Sequence, residues 1–147
     1  MLNKRSRYAI KALIFIARAN ALQHPASVSS IADTTTIPNK FLESILHDLK
    51  VAGFVLSRKG SGGGYYLSRT ADQVFLADLI RVMNGPIAMV PCVSLNYYER
   101  CEYCADERTC GIHAVMEELR DASLAILAKT SIADLIRRED WMKEPEA

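Results

Sequence analysis

The sequence predicts a mainly α-helical protein with one small β-hairpin, and three patterns carry that expectation. Apolar residues recur at spacings of three and four along residues 5–20, 41–49 and 112–126, the period of a helix with one buried face. Phe54-Val55-Leu56-Ser57 and Tyr65-Tyr66-Leu67-Ser68 are β-compatible runs joined by the glycine-loaded stretch Arg58-Lys59-Gly60-Ser61-Gly62-Gly63-Gly64. No regular alternation of strand and helix, the mark of a parallel sheet, appears anywhere.

Taken in order, Tyr8, Ala12, Phe15, Ile16 and Ala19 define the buried face of a first helix, which Pro25 and its neighbours end. Ser30-Ile31-Ala32-Asp33 offers a capping-box-like start to a short second helix, and Thr34-Thr35-Thr36 reads as a turn. Pro38 suits a first helical position. Phe41, Leu42, Ile45, Leu46 and Leu49 then form the apolar face of a third helix, leaving Asn39, Lys40, Glu43, Ser44, His47 and Asp48 on the other side. That helix stops near Gly53, and the hairpin follows. Residues 74–83 form a short helix closed by Asn84-Gly85-Pro86. From Ile112 a long helix carries Val115, Leu119, Ala122 and Ile126 as a seam about two heptads long. Ser131 to Asp134 caps a last short helix, and the acidic tail from Glu139 onward is expected to be loose. The organisation is therefore residues 1–70 as one unit, 71–138 as a second segment and 139–147 as a tail.

With 147 residues, half of them hydrophobic and 24% charged, the chain has ordinary globular composition. No apolar run approaches the ~20 residues of a membrane span, and the N-terminus lacks a signal-peptide layout, so a cytoplasmic location is expected. The net charge of +1 conceals a split. Residues 1–70 hold 10 basic and 3 acidic side chains, whereas residues 71–147 hold 8 and 14. A basic front half seeks phosphate.

Short helix, turn, longer helix and hairpin is the order of a winged helix-turn-helix. In that fold the first turns of the second of these helices enter the major groove of DNA, where Asn39, Lys40, Glu43 and Ser44 would meet base edges. Arg58, Lys59, Gly60 and Gly62 would bring backbone and cations against a sugar-phosphate wall. A nucleotide-binding P-loop is set aside, because Tyr65-Tyr66-Leu67 continues a strand where that motif needs Lys-Ser/Thr opening a helix.

Cys92, Cys101, Cys104 and Cys110, followed by His113, give the spacing C-x8-C-x2-C-x5-C-x2-H within one stretch, roughly residues 88–113. In reducing cytosol such clustering favours metal binding or redox sensing over a disulfide framework. Thiolates bind iron strongly, and exchanging one for a neutral imidazole raises the potential of an iron–sulfur cluster. Cys101, Cys104, Cys110 and His113 also make a sound tetrahedral zinc set. A metal-free switch through a Cys101–Cys104 disulfide is a third reading, disfavoured because Glu102, Asp106 and Glu107 would raise the thiol pKa values. A thiol oxidoreductase is weaker still, since no βαβ unit accompanies Cys101-x2-Cys104.

Arg7-Tyr8-Ala9, Phe41-Leu42-Glu43, the Arg58 to Tyr65 wing and Cys110-Gly111-Ile112-His113-Ala114 closely resemble the family of bacterial regulators that includes the iron–sulfur cluster regulator IscR, NsrR, RirA and CymR. The resemblance runs from residue 1 to about 138. It implies a homodimeric transcription regulator, not an enzyme, that binds a double-stranded DNA operator and pairs through the long C-terminal helix. Lys40, Glu43 and Ser44 fall at base-reading positions, and Lys59 falls where the wing enters the minor groove, with Lys replacing the usual Arg. Thr36 replaces the glycine usual in the turn. Cys92, Cys104, Cys110 and His113 match the ligands of a two-iron, two-sulfur (2Fe-2S) cluster, with Cys101 as a possible substitute for Cys104 and a longer gap after Cys92. Zinc remains the alternative occupant.

Overall fold

The computed structural model describes residues 2–143. Its first helix, α1 (Lys4–Ala21), starts where Asn3 in extended conformation accepts from the Ser6 N–H at 2.7 Å. Asn3 also reaches across the chain: its N–H donates to Asn84 Oδ1 at 2.8 Å. Of the expected face, Ala12 and Ile16 are fully buried and Tyr8, Phe15 and Ala19 partly so, while Ala9 and Leu13 join the fully buried set.

Helix α2 (Val28–Thr35) begins earlier than the sequence suggests. Ser27, not Ser30, is its cap: Ser27 is extended and its Oγ accepts from the Ser30 N–H at 3.1 Å, which places Ser30 inside the first turn. Thr34 and Thr35 are helical, and only Thr36 turns the chain, at φ 56° and ψ 30°. This is the left-handed region that glycine adopts at no steric cost. Helix α3 (Asn39–Val51) follows with Leu42, Ile45, Leu46 and Leu49 fully buried.

Strands β1 (Val55–Arg58) and β2 (Gly64–Leu67) pair antiparallel, from Val55 opposite Leu67 to Arg58 opposite Gly64. Ala26 adds a short third rung, with the Tyr65 N–H donating to Ala26 O at 2.8 Å and the Ala26 N–H to Tyr65 O at 3.1 Å. Asn20 of α1 accepts from the Leu67 N–H at 2.8 Å, so the hairpin is seated on the first helix.

Helix α4 (Leu76–Asn84) starts two residues later than expected. The Leu76 N–H donates to Thr130 O and the Ile132 N–H donates to Val74 O, both at 2.9 Å, so residues 74 and 75 are held extended against the chain entering α6. Helix α5 (Gly111–Leu127) and helix α6 (Ile132–Lys143) complete the set. Between α4 and α5 the chain makes two single turns, Pro91–Val93 and Glu107–Thr109.

The buried core is continuous across residue 70: Val74, Leu76, Leu79, Ile80, Met83 and Ile132 belong to the same cluster as the apolar faces of α1 and α3. The expected loose tail is corrected over residues 139–143, which form the last turns of α6. Arg18 of α1 pairs with Asp140 at 2.6 Å and with Glu139 at 3.3 Å, anchoring that end. The rest of the expected tail, residues 144–147, lies outside the described residues.

The expected cap of the last helix is present. Asp134 accepts from the Ser131 hydroxyl at 2.7 Å and the Ser131 N–H at 2.8 Å, while Ser131 Oγ accepts from the Asp134 N–H at 3.1 Å. These bonds, with Arg137 alongside, hold the Asp134 carboxyl down to about 2. A carboxyl depressed on folding stabilises the fold above its ordinary range near ~4 and ceases to do so as pH falls through the folded value. Asp134→Ala therefore lowers the melting temperature at pH 7, and the gap from the parent narrows as pH falls from 4 towards 2. Thermal melts followed by circular dichroism across that range check it.

Candidate functional site

Two groups of side chains answer the expectations. On α3, Asn39, Lys40, Glu43 and Ser44 are all exposed while the opposite face is buried. Ser44 is engaged: Arg5 of α1 donates to its Oγ at 3.1 Å and to its carbonyl at 3.2 Å, and pairs with Asp48. The Arg5 guanidinium also lies over the Phe41 ring, 5.9 Å from its centroid. Arg5 thus joins the polar face of α3 from another helix. Its place there escapes a sequence reading, because no periodicity links residues so far apart along the chain.

In the wing, Arg58, Lys59, Gly60 and Gly62 are exposed. Arg58 lies over the Tyr66 ring at 4.9 Å, which directs its cation along the ribbon. Lys50 at the end of α3 donates to Ser57 Oγ of β1 at 2.7 Å, tying the two candidate DNA-facing elements together. The glycines divide by role. Gly60 and Gly62 have φ of 93° and 75° with open space where a Cβ would stand. At Gly63 a Cβ would lie 2.4 Å from Arg58 O, and at Gly64 it would lie 2.9 Å from Ala26 O. Two of the glycines are thus required by the hairpin itself, and the run as a whole is not a signature of DNA approach.

The second group lies between α4 and α5. Cys92, on the Pro91–Val93 turn, is buried, while Cys101, Cys104 and Cys110 are partly so, and all four thiols are free. Cys92, His113 and Glu107 each present a ligand atom, and these three atoms lie within 4.8 Å of one another. Glu107 was not among the sequence-derived ligands, where it figured only as a neighbouring charge. Its carboxylate accepts from Tyr98 Oη at 3.1 Å and from the Cys101 N–H at 3.4 Å. His113 Nδ1 is buried with no hydrogen-bond partner among the described residues. Such an orphaned nitrogen is costly unless something binds it.

Cys104 and Cys110 stand together rather than with that trio. Cys110 is the N-cap of α5, its Sγ accepting from the His113 N–H at 3.5 Å. That bond first, and the Cys104 thiol second, hold the Cys110 pKa below its ordinary value. Burial first, and donation to Cys110 second, push Cys104 up, and burial pushes Cys92 up. Cys104 is thus raised in the expected direction, with burial as the first cause, while at Cys110 the hydrogen bond from the first turn of α5 outweighs the neighbouring Glu107 charge.

One buried cation supports the pocket. Arg120 of α5, 9% exposed, donates to Val93 O at 2.6 Å and pairs with Asp121 at 2.8 Å and Glu117 at 3.2 Å. It holds the turn bearing Cys92 against the helix bearing His113. No helix among the described residues is long and apolar enough to cross a membrane.

A polar helix face beside a basic wing, with a thiol pocket leading into a long helix, defines a helix-turn-helix transcriptional regulator of the DNA-binding type, not an enzyme. The chain belongs to the Rrf2 family, described as iron-dependent transcriptional regulators, which matches residues 2–138. It is 35% identical over 138 residues to an rrf2-like helix-turn-helix regulator of Rhodobacter capsulatus, covering 92% of each chain. It is 30% identical over 143 residues to the regulator CymR of Bacillus subtilis, covering 97% of this chain and 94% of that one. The solved structure of CymR, the global cysteine regulator of B. subtilis, superposes with a TM-score of 0.77 over 94% of this chain and 97% of that one. The IscR structure from T. potens, 21% identical, superposes equally well at 0.77 over 100% of this chain and 93% of that one, which shows the shared fold.

Arg120→Met should leave the fold intact but free the Cys92 turn, since a hydrogen-bonded guanidinium is replaced by an apolar chain of similar reach. Alkylation of Cys92 by iodoacetamide, followed by mass spectrometry of the metal-free protein, is expected to accelerate roughly tenfold. Cys104 should be unchanged.

Proposed function

We propose that this chain is a homodimeric cytoplasmic regulator whose affinity for an operator is set by a 2Fe-2S cluster held by Cys92, Cys104, Cys110 and His113. The observation that carries the reading is the buried, unpartnered Nδ1 of His113 beside one cysteine-bearing turn and one helix end. Three thiols and an imidazole are a donor set suited to such a cluster, with Cys101 able to replace Cys104. Bound there, the cluster would supply a charge and redox state responsive to iron, oxygen or nitric oxide.

The protein's own residues supply the transmission. Cys110 and His113 stand at the start of α5, and Arg120 on the same helix grips the carbonyl next to Cys92. Any change in the separation of Cys92 from His113 therefore pulls on α5. That helix exposes Ile112 (69%), Val115 (57%), Leu119 (45%) and Ile126 (63%), an apolar seam too large to leave in water. A second copy covers it, and the adjoining groove of about 350 Å³, lined by Ile80, Ile87, Met89, Leu119 and Leu127, receives part of that partner. With two copies joined at α5, a small shift of the helix respaces two α3 helices, which must match half-sites about 34 Å apart.

At the DNA, Asn39, Lys40, Glu43 and Ser44 read the major groove, with Ser44 positioned by Arg5, and Arg58, Lys59, Gly60 and Gly62 line the wing. Lys59→Ala should weaken duplex binding and reduce the slope of log affinity against log salt by about one, the loss of a single phosphate contact. Fluorescence anisotropy at several salt concentrations measures it, and an unchanged slope removes the wing from the interface. Cys110→Ala should abolish the visible absorption of protein reconstituted anaerobically with iron and sulfide. A spectrum that survives refutes this ligand set.

A further inference from the structure

We propose that Cys92, Glu107 and His113 form a second mode of the pocket, a site for one divalent cation of borderline softness such as Zn²⁺, Fe²⁺ or Co²⁺, taken when no cluster is present. The inference shares Cys92 and His113 with the cluster reading and departs from it at Glu107 and Cys104. Three donor atoms from separate segments, the Pro91–Val93 turn, the Glu107–Thr109 turn and the first turn of α5, converge within 4.8 Å of one another. Around one tetrahedral cation with bonds of ~2.0–2.3 Å, ligand atoms sit roughly 3.3–3.8 Å apart, so a contraction of about 1 Å closes the site.

The donor chemistry selects the ion. One thiolate, one carboxylate and one imidazole suit zinc, iron or cobalt, whereas magnesium and calcium demand an all-oxygen shell. Three protein donors leave a fourth position open, the arrangement of exchangeable rather than closed structural sites. The outer shell is already built. Tyr98 Oη and the Cys101 N–H orient the Glu107 carboxylate, and Arg120 holds the turn carrying Cys92. The buried Nδ1 of His113 lacks a partner among the described residues, so the ring is not already committed on that side. Cys104 and Cys110 are not among the three residues of this group. This separates the site from the zinc set of Cys101, Cys104, Cys110 and His113 that sequence spacing suggests.

The test uses full-length protein, reduced and metal-free, titrated anaerobically with Co²⁺. The thiolate-to-cobalt charge-transfer band and the intensity of the ligand-field bands report sulfur ligation and tetrahedral geometry. Glu107→Gln is expected to weaken Co²⁺ binding by roughly tenfold or more, and Cys92→Ser to remove the charge-transfer band. Tyr98→Phe, which leaves all three ligands in place, is expected to weaken binding severalfold and covers the case in which Glu107→Gln does not fold. Cys104→Ser should bind Co²⁺ with the parent affinity, whereas Glu107→Gln should lose cobalt affinity and still assemble the cluster. Parent-like cobalt affinity in both Glu107→Gln and Tyr98→Phe, or loss of cobalt binding in Cys104→Ser, overturns the proposal. Failure of the cluster reading is seen separately, as absence of the reconstituted spectrum from the parent protein.

Discussion

The burial of α1 is the constraint on which the rest of the structure depends. Its apolar face is sequestered at Ala9, Ala12, Leu13 and Ile16, and its cap and three of its polar residues each hold a different part of the chain. Asn3 binds the end of α4, Arg5 binds α3, Arg18 binds α6 and Asn20 binds the wing. The alanines let neighbouring elements approach closely, and the hydrogen bonds set the register of each against the same axis. Without this helix the reading face and the wing have no common support. Helix α4, which leads to the thiol pocket, would lose its connection to both.

That arrangement explains how a protein with a basic front and an acidic back behaves as one body. The charge is split along the chain, whereas the core is not: Val74, Leu79, Ile80 and Ile132 from the rear belong to one buried cluster with Leu42, Ile45 and Leu49 of α3. The core therefore does not divide at residue 70. Helix α5 is the exception, since four of its large apolar side chains face outward while Arg120 alone turns its polar end inward. A buried arginine among exposed leucine, isoleucine and valine inverts the usual order. It is explained by the carbonyl next to Cys92 that it holds.

Helix starts also do chemical work here. Cys110 serves as the cap of α5, so one sulfur both satisfies a helix N–H and has its own pKa lowered by that bond. His113 is carried by the same turn. Capping by Cys110 and the placement of His113 are thus a single local event at the start of α5.

The amino-acid sequence alone determined the order of elements, the buried faces of α1 and α3, the hairpin, the capping box at Ser131 and Asp134 and the clustering of thiols ahead of α5. Each is a short-range property, written in periodicity, turn residues and caps within a few positions. Tertiary structure alone decided that Ser27 rather than Ser30 caps α2, that residues 139–143 are helical and held by Arg18, and that Gly63 and Gly64 serve the hairpin's own backbone. It also brought Glu107 to Cys92 and His113, set Cys104 against Cys110 and turned Arg120 inward. Those outcomes depend on which distant groups meet once the core has closed, and no pattern along the chain records a contact between residues that its periodicity does not connect.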